Sequence, residues 1–125
     1  MPKPKQNTEQ PIPPEWRTKV CSILRTGRDD KEVIYDPRAS REWSATFPLA
    51  WSYNLKDAQR QALEVSGDVI GKKVHLDWQP EGSETWAFWF YHDGKKLYGK
   101  VTLLPDNKVI VIVSAHLPNK GDDHL

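Results

Sequence analysis

Residues 85–116 read TWAFWFYHDGKKLYGKVTLLPDNKVIVIVSAH, and this stretch decides how the chain folds. The dipeptide Asp93-Gly94 separates two segments of alternating residue type and is typical of a two-residue type I′ hairpin turn. Pro105-Asp106-Asn107 suits a three-residue loop before the next segment. Three antiparallel strands are expected, at Thr85–His92, Lys95–Leu104 and Lys108–Ala115. The valine- and isoleucine-rich composition of the last strand predicts a central position, covered on both faces.

The residues upstream predict one more strand and two or three helices. Val74, Leu76 and Trp78 alternate with polar residues, which indicates a half-buried strand before the turn at 79–82. Helical spacing and terminal signals predict helices from Pro14 to Gly27, from Asp36-Pro37 through Trp43, and from an Asn54 cap to Gly67. The fold class expected is α+β, with these N-terminal helices packed on one face of an antiparallel sheet of about four strands.

Composition divides the chain into three parts. Five of the ten prolines lie in the first fourteen residues, among polar side chains, so residues 1–12 are expected to form a flexible arm. Residues 13–117 are expected to form a single α+β domain. Residues 118–125, which contain Asp122-Asp123, are expected to form an acidic, flexible tail.

Charge and cysteine content exclude several classes of protein. The net charge of +1, from 18 basic and 17 acidic residues, excludes a protein that coats nucleic acid along its whole surface. Cys21 is the single cysteine, so an internal disulfide is excluded, and no apolar segment near the start indicates export. The longest apolar run is far shorter than the roughly 20 residues that cross a bilayer. A cytoplasmic protein without a membrane partner is expected.

The two predicted turns set which side chains share a face of the sheet. The Asp93-Gly94 turn places Trp89 opposite Tyr98, and the three-residue loop places Tyr98 opposite Ser114. One polar, aromatic and cationic face results, and its predicted members are Ala87, Trp89, Tyr91, Lys96, Tyr98, Lys100, Ser114 and His116. The alternate residues, Trp86, Phe88, Phe90, Leu97 and Val101, are predicted to form the core.

This face contains the groups that cleave RNA without a metal ion. The ribose 2′-hydroxyl must lose a proton, the leaving 5′-oxygen must gain one, and the phosphorane needs fixed positive charge. Tyr98, His116 and Lys100 can divide these tasks, while exposed aromatic rings hold unstacked bases. The pattern is also that of an ordinary solvated sheet face, on which lysines prevent edge aggregation. No pair of His, Cys or Glu residues has metal-site spacing, so neither a metal nor another cofactor is expected.

The last hairpin resembles that of a family of bacterial toxins. The residues that carry the resemblance are Tyr98-Gly99-Lys100-Val101-Thr102, followed after a turn by Val109–Ser114 and the polar His116. A weaker likeness extends to Asp57-Ala58-Gln59-Arg60 and to Trp86. On these residues the chain resembles, over about 15–117, the motility quorum-sensing regulator toxins of the RelE-like ribonuclease group.

The resemblance implies a ribosome-independent endoribonuclease that cuts mRNA and is silenced by a cognate antitoxin protein. The family's active site combines a helix lysine, a strand glutamine, a strand tyrosine and a last-strand lysine. By position these fall on Arg60, Ala87, Tyr98 and His116, so the glutamine has no counterpart here. Histidine titrates near neutral pH, which makes His116 a candidate general base or acid where the family has a permanent cation.

The leading hypothesis is a metal-independent endoribonuclease toxin of a toxin–antitoxin system. Its catalytic residues are predicted to be Tyr98, His116, Lys100 and Arg60, and its substrate-binding residues Lys96, Trp89, Tyr91 and Ser114. A second hypothesis is a binding module without catalysis, whose aromatic and cationic face holds a protein or single-stranded nucleic acid. A third is an inhibitor encoded by a phage or plasmid. The sequence leaves these alternatives open.

Overall fold

A computed structural model of the chain describes residues 9–118 and Leu125, and over these residues the fold is α+β, as predicted. The elements in chain order are β1 (Glu9–Pro11), α1 (Pro14–Thr26), β2 (Val33–Tyr35), α2 (Pro37–Thr46), α3 (Ser52–Leu63), β3 (Ile70–Val74), β4 (Glu84–His92), β5 (Lys95–Leu103) and β6 (Ile110–His116). The strands form one sheet in the order β1-β3-β4-β5-β6-β2.

The sheet is larger than predicted and is mixed. Strand β2 runs parallel to β6, whereas the other neighbours are antiparallel, so the expectation of about four antiparallel strands is wrong for this sheet. The two unpredicted strands, β1 and β2, have three residues each. Segments this short carry no measurable alternation, and pairing to a longer neighbour makes them strands.

Local signals at both predicted ends of α1 and at the predicted start of α2 are confirmed, whereas α2 continues to Thr46, past its predicted end at Trp43. Helix α1 begins at Pro14 and stops at Gly27, whose N–H donates to the Ile23 carbonyl. Helix α2 begins at Asp36-Pro37, where the Asp36 carboxylate accepts the Arg38 N–H at 2.8 Å. No helix in the described part of the chain is long and apolar enough to cross a bilayer.

Helix α3 differs from its prediction at both ends. It begins at Ser52, and Asn54 acts from within the first turn, where its side-chain oxygen accepts the Trp51 N–H at 2.8 Å. It ends at Leu63, before Gly67, because the Arg17 guanidinium of α1 donates to the Leu63 and Gly67 carbonyls. These bonds satisfy carbonyls that continued helix would have paired.

The core lies between the sheet and the helices. All five predicted core residues of β4 and β5 are buried, which confirms the alternation assigned to that hairpin. The helices contribute Trp16, Val20, Leu24, Trp43, Leu55 and Leu63 to the same cluster. The opposite face of the sheet, which carries Trp89, Tyr98 and Lys100, is called the outer face below.

Two strand assignments from the sequence are wrong in detail. Strand β3 ends at Val74, and Leu76 begins a turn instead, because the Gln79 side-chain oxygen accepts the Leu76 N–H at 3.0 Å. Strand β6 lies between β5 and β2, but it is not covered on both faces. Val111 is only half-buried, and Ile34 beside it on β2 is 37% exposed.

The predicted flexible arm over residues 1–12 is wrong for residues 9–12. Strand β1 pairs with β3, and Ile12 is 1% exposed in the core. Gly71 permits this packing, since a Cβ there would lie 2.6 Å from Ile12 Cδ1. Residues 1–8 of the predicted arm lie outside the described residues.

The predicted tail over 118–125 is likewise wrong at its last residue. The Leu125 side chain is buried, and its carbonyl oxygen accepts a hydrogen bond from Lys72 Nζ at 3.1 Å. Asp122-Asp123 lie outside the described residues.

Replacement of Ile12 tests the docking of this segment. Ile12→Ala should lower the free energy of unfolding by about 2–5 kcal/mol, because it removes fully buried methyl groups and the anchor of β1. Urea unfolding measures the change. Ile70→Ala is the matched control, since Ile70 on β3 is 48% exposed and should lose less than half as much. Equal losses in the two variants would contradict the docking.

A buried amide in α3 gives a second prediction. Gln59 is fully buried, and within the described residues neither its side-chain oxygen nor its nitrogen has a hydrogen-bond partner. Gln59→Met keeps the length of the side chain and removes the desolvated amide, so it should raise the free energy of unfolding by about 1 kcal/mol or more. Gln61→Met, at an exposed position of the same helix, should change little. A loss of stability in Gln59→Met would overturn the prediction.

Candidate functional site

The β4–β5 hairpin has the predicted register throughout. Trp89 pairs with Tyr98, Tyr91 with Lys96, and Ala87 with Lys100. Asp93 and Gly94 both have positive φ, at 51° and 75°, as a type I′ turn requires. The positions of the predicted side chains on β4 and β5 are therefore confirmed.

The β5–β6 hairpin has a different register from the one predicted. The Leu104 N–H donates to the Val109 carbonyl at 2.9 Å, so the loop has four residues, 105–108, and not three. This change alone would pair Tyr98 with Ala115 and turn the His116 side chain to the core side.

A β-bulge in β6 restores the side on which His116 lies. The register shifts by one residue between Lys100 and Val101, so that Val113 is the extra residue of β6. Tyr98 then pairs with His116 and Lys100 with Ser114. The predicted partners, Ser114 for Tyr98 and His116 for Lys96, are wrong by two residues, but the face is correct.

Five side chains meet on the outer face, and we call them the ring–cation face: Trp89, Lys96, Tyr98, Lys100 and His116. The Tyr98 and His116 rings stack, with centroids 5.1 Å apart and planes 24° apart. Trp89 meets Tyr98 edge to face at 5.9 Å. Lys96 Nζ lies 4.3 Å from the Trp89 ring centroid, and Lys100 Nζ lies 5.7 Å from that of Tyr98. Rings and cations therefore form one continuous surface.

A backbone contact fixes the tautomer of His116. Its Nδ1 lies 2.6 Å from the Leu117 carbonyl oxygen. A carbonyl oxygen can only accept, so Nδ1 carries the hydrogen and donates it. In the neutral ring Nε2 then has the free lone pair, which is the arrangement a general base needs.

Lys100 is a half-buried cation among other cations. Burial lowers the pKa of its ammonium group, the positive charges of Arg38 and Lys72 lower it further, and the carboxylate of Glu42 opposes them. Lys72 and Lys100 both pair with Ala87, from opposite sides, which places their backbones about 10 Å apart across the sheet. This side of the sheet therefore brings two cations near each other, and Glu9, which pairs with Lys72 from β1, places a carboxylate on the same side.

The remaining predicted residues of this face lie where expected. Tyr91 is exposed opposite Lys96, beside the hairpin turn. Ser114 faces Lys100 but is buried. Tyr91 is therefore accessible to a ligand, whereas Ser114 lies beneath the exposed side chains of this face.

Arg60 does not join these residues. It belongs to α3, whose buried residues pack on the core face of the sheet, and its guanidinium binds the carboxylates of Asp57 at 2.6 Å and Glu64 at 2.7 Å. The sheet lies between Arg60 and Tyr98. The prediction that Arg60 belongs to the same site is therefore wrong, because helical spacing does not indicate on which side of the sheet a helix packs.

His92 and Cys21 have structural positions, whereas His75 is exposed after the end of β3. His92 faces the core side and contacts Trp43 and Phe47, with ring centroids at 5.1 and 4.8 Å. His124 lies outside the described residues. Burial, with Glu64 nearby, raises the pKa of the Cys21 thiol to about 11, so it is not a nucleophile at neutral pH. Across 9–118 and Leu125, no three His, Cys, Asp or Glu side chains are grouped to bind a metal ion.

Sequence reasoning missed two charged residues of α2 that lie beside this face. Arg38 acts on Lys100, and the Glu42 carboxylate accepts the Ala115 N–H at 3.1 Å. Glu42 also lines a groove of about 400 Å³ with His116. Separations of more than 60 residues leave no local signal for these contacts.

Comparison of the chain with protein-family models, with curated proteins and with solved structures gave no match. The resemblance to the motility quorum-sensing regulator toxins remains a prediction that rests on the residues of the last hairpin.

The charge of Lys100 should destabilise the fold. A lysine whose pKa is lower in the folded state than in the unfolded chain opposes folding wherever it is charged, and the penalty disappears as pH rises from the folded pKa toward about 10.4. Lys100→Met should therefore raise the melting temperature modestly at pH 7, and by less at pH 10. Lys108→Met, at an exposed loop position, is the control and should change little at either pH. A lower melting temperature for Lys100→Met at pH 7 would contradict this account.

Proposed function

We propose that the protein is an endoribonuclease that cleaves single-stranded RNA on the ring–cation face by acid–base chemistry, without needing a metal ion. The observation that carries the proposal is the stack of Tyr98 on His116 beside the half-buried Lys100. His116 supplies a general base, Tyr98 a phenol, and Lys100 an ammonium group with a lowered pKa. The three groups lie in one patch, as the reaction requires.

The chemistry assigns one proton to each of two residues. His116 Nε2 accepts the proton of the ribose 2′-hydroxyl, and the 2′-oxygen forms a bond to phosphorus. The bond from phosphorus to the 5′-oxygen breaks, and that oxygen takes a proton from the Lys100 ammonium. The products are a 2′,3′-cyclic phosphate and a free 5′-hydroxyl. Lowering the pKa of Lys100 makes its ammonium a better acid for this step.

Tyr98 positions the general base, His116, and contacts the substrate. Its ring stacks on the imidazole and so limits rotation of His116 about its side-chain bonds, while Leu117 holds Nδ1. The phenol hydroxyl lies on the same patch as Lys100 and is suited to donate to a phosphate oxygen.

The surface around this centre suits a single strand of RNA. Lys72 and Lys100 lie in one row across the strands, and Trp89 and Tyr98 lie in a second row. The second row is two residues further along the strands, about 7 Å from the first. Lys72, whose Nζ also donates to the Leu125 carbonyl, and Lys100 attract the phosphates, and Trp89 and Tyr91 are the stacking surfaces for unstacked bases. Paired RNA hides its base faces, so the substrate class is single-stranded.

The finer proposal is that this endoribonuclease is the toxin of a toxin–antitoxin system and that a cognate antitoxin silences it. The residues of the last hairpin, from Tyr98 to His116, support this proposal. The proposed catalytic set departs from that of the similar family, because Ala87 stands at the glutamine position and Arg60 is paired elsewhere. His116 and Lys100 take the proton-transfer roles here.

A binding module without catalysis is the second candidate. The contact that favours it is Lys96 over the face of Trp89, a ring–cation pair that contributes to binding without acid–base chemistry. Such a protein would hold single-stranded RNA and leave it intact.

One cleavage assay separates the two candidates. Purified protein is incubated with a 5′-labelled single-stranded RNA in EDTA, and the products are identified by mass spectrometry. Wild type should produce 2′,3′-cyclic phosphate ends. His116→Ala and Lys100→Met should each lower the rate by about 100-fold or more, as loss of a general base or acid does. Tyr98→Phe keeps the ring and loses the hydroxyl, so its rate should fall less.

The controls identify contamination and the second candidate. Arg60→Gln should cleave at the wild-type rate, because Arg60 lies beyond the sheet. Equal cleavage by wild type and His116→Ala would indicate a contaminating nuclease and overturn the proposal. If the protein binds a fully 2′-O-methylated RNA, and neither the wild type nor any variant cleaves the unmodified RNA, the binding module is established instead.

A further inference from the structure

A groove of about 400 Å³ opens where the second half of α2 meets the end of β6. Its lining is Glu42, Ala45, Thr46, His116 and Leu117. His116 is shared with the ring–cation face, so the groove continues directly from the proposed catalytic centre. The groove is shallow and largely open to solvent, so a bound group would keep one side exposed.

The Glu42 carboxylate is held in a fixed position in this groove. Strand β2 pairs with β6 only as far as Ile112, and beyond that point Glu42 Oε1 accepts the Ala115 N–H at 3.1 Å. The carboxylate is thus tied to the residue that precedes His116. A carboxylate accepts about four hydrogen bonds, and Ala115 is its one hydrogen-bond partner among residues 9–118 and Leu125. Acceptor sites therefore remain for a ligand.

The chemistry of the lining matches a nucleobase. Ala45 and the exposed Leu117 supply apolar walls for the faces of a flat ring. At the ring edge an ionised carboxylate can only accept, so it favours a base that presents an amino group. Adenine, cytosine and guanine each carry an exocyclic amino group. Uracil presents carbonyl oxygens, which a carboxylate repels, and a single N–H between them.

We propose that this groove holds the base next to the scissile phosphate and that Glu42 selects a base with an exocyclic amino group over uracil. The inference rests on the proposed function, because the scissile phosphate is placed by His116 and Lys100. It goes further in naming a residue of α2 that sets base preference and the class of base it accepts.

Oligonucleotides with one cleavable bond test the selection. Each has a single ribonucleotide in a 2′-O-methylated chain, so the scissile phosphate follows that ribonucleotide. The base on the 5′ side of this phosphate, which belongs to the ribonucleotide itself, or the base on its 3′ side is varied among A, C, G and U. At one of these two sides, wild type should cleave the A, C and G forms about 10- to 100-fold faster than the U form. Equal rates for all four bases on both sides would overturn the proposal.

The variant Glu42→Gln isolates the carboxylate. Its amide oxygen can still accept the Ala115 N–H, and its amide nitrogen can donate to a uracil carbonyl. The ratio between amino-bearing bases and uracil should therefore fall below about 3-fold, within the range expected when one base contact is lost. Glu81→Gln removes an equal charge from an exposed loop at the other end of the sheet, and it should keep the wild-type ratio. An unchanged ratio in Glu42→Gln would overturn the role of Glu42.

Binding measurements separate this inference from the proposed function. Fully 2′-O-methylated oligonucleotides cannot be cleaved, and fluorescence anisotropy gives their affinities. Weaker binding of the U form, abolished by Glu42→Gln, supports the groove even where no RNA is cleaved. Cleavage without any base discrimination in rate or binding refutes the groove and leaves the endoribonuclease. Absence of cleavage and of discrimination refutes both.

Discussion

The pairing of β5 with β6 determines whether Tyr98, Lys100 and His116 lie on the same face of the sheet. Side chains alternate between the faces of a strand, so a shift of one residue would send His116 to the core side, away from Tyr98. The four-residue loop at 105–108 makes one such shift, and the bulge at Val113 makes a second. Together they restore the face, so the stack of Tyr98 on His116 requires both irregularities.

The outer face brings Lys72 and Lys100 together in a chain of net charge +1, with Glu9 opposite Lys72 and Glu42 near Lys100. On the helices, Arg25 and Arg60 share Glu64, and Lys56 binds Asp29 at 2.8 Å. Across the sheet, Lys72 and Lys100 reinforce each other, and Glu42 is the carboxylate that acts on Lys100. A balanced composition therefore does not exclude a local site for an anionic ligand.

The features predicted from the sequence are those with local causes. Asp93-Gly94 fixed the β4–β5 register, and Asp36-Pro37 the start of α2, because turn and cap geometry depends on adjacent residues. Tyr98 and His116 were predicted on the correct face although the prediction had a loop one residue too short and no bulge. Each of these errors shifts the register by one residue, and the two shifts cancel. The positions of Arg60 and Glu42 depend on how helices pack against the sheet, which residue spacing does not encode. Strand β1 depends on the burial of Ile12 over Gly71, a contact between distant parts of the chain.

Two details of the face are suited to proton transfer rather than to binding alone. Burial next to Arg38 and Lys72 lowers the pKa of Lys100, which makes its ammonium group a better proton donor and is not needed for binding phosphate. A histidine that only stacks on a base needs no fixed tautomer, yet Leu117 holds Nδ1 of His116 as a donor and leaves Nε2 as an acceptor. The lowered pKa of Lys100 assists an acid and the fixed tautomer of His116 assists a base, so both features favour the catalytic proposal over the proposal of binding alone.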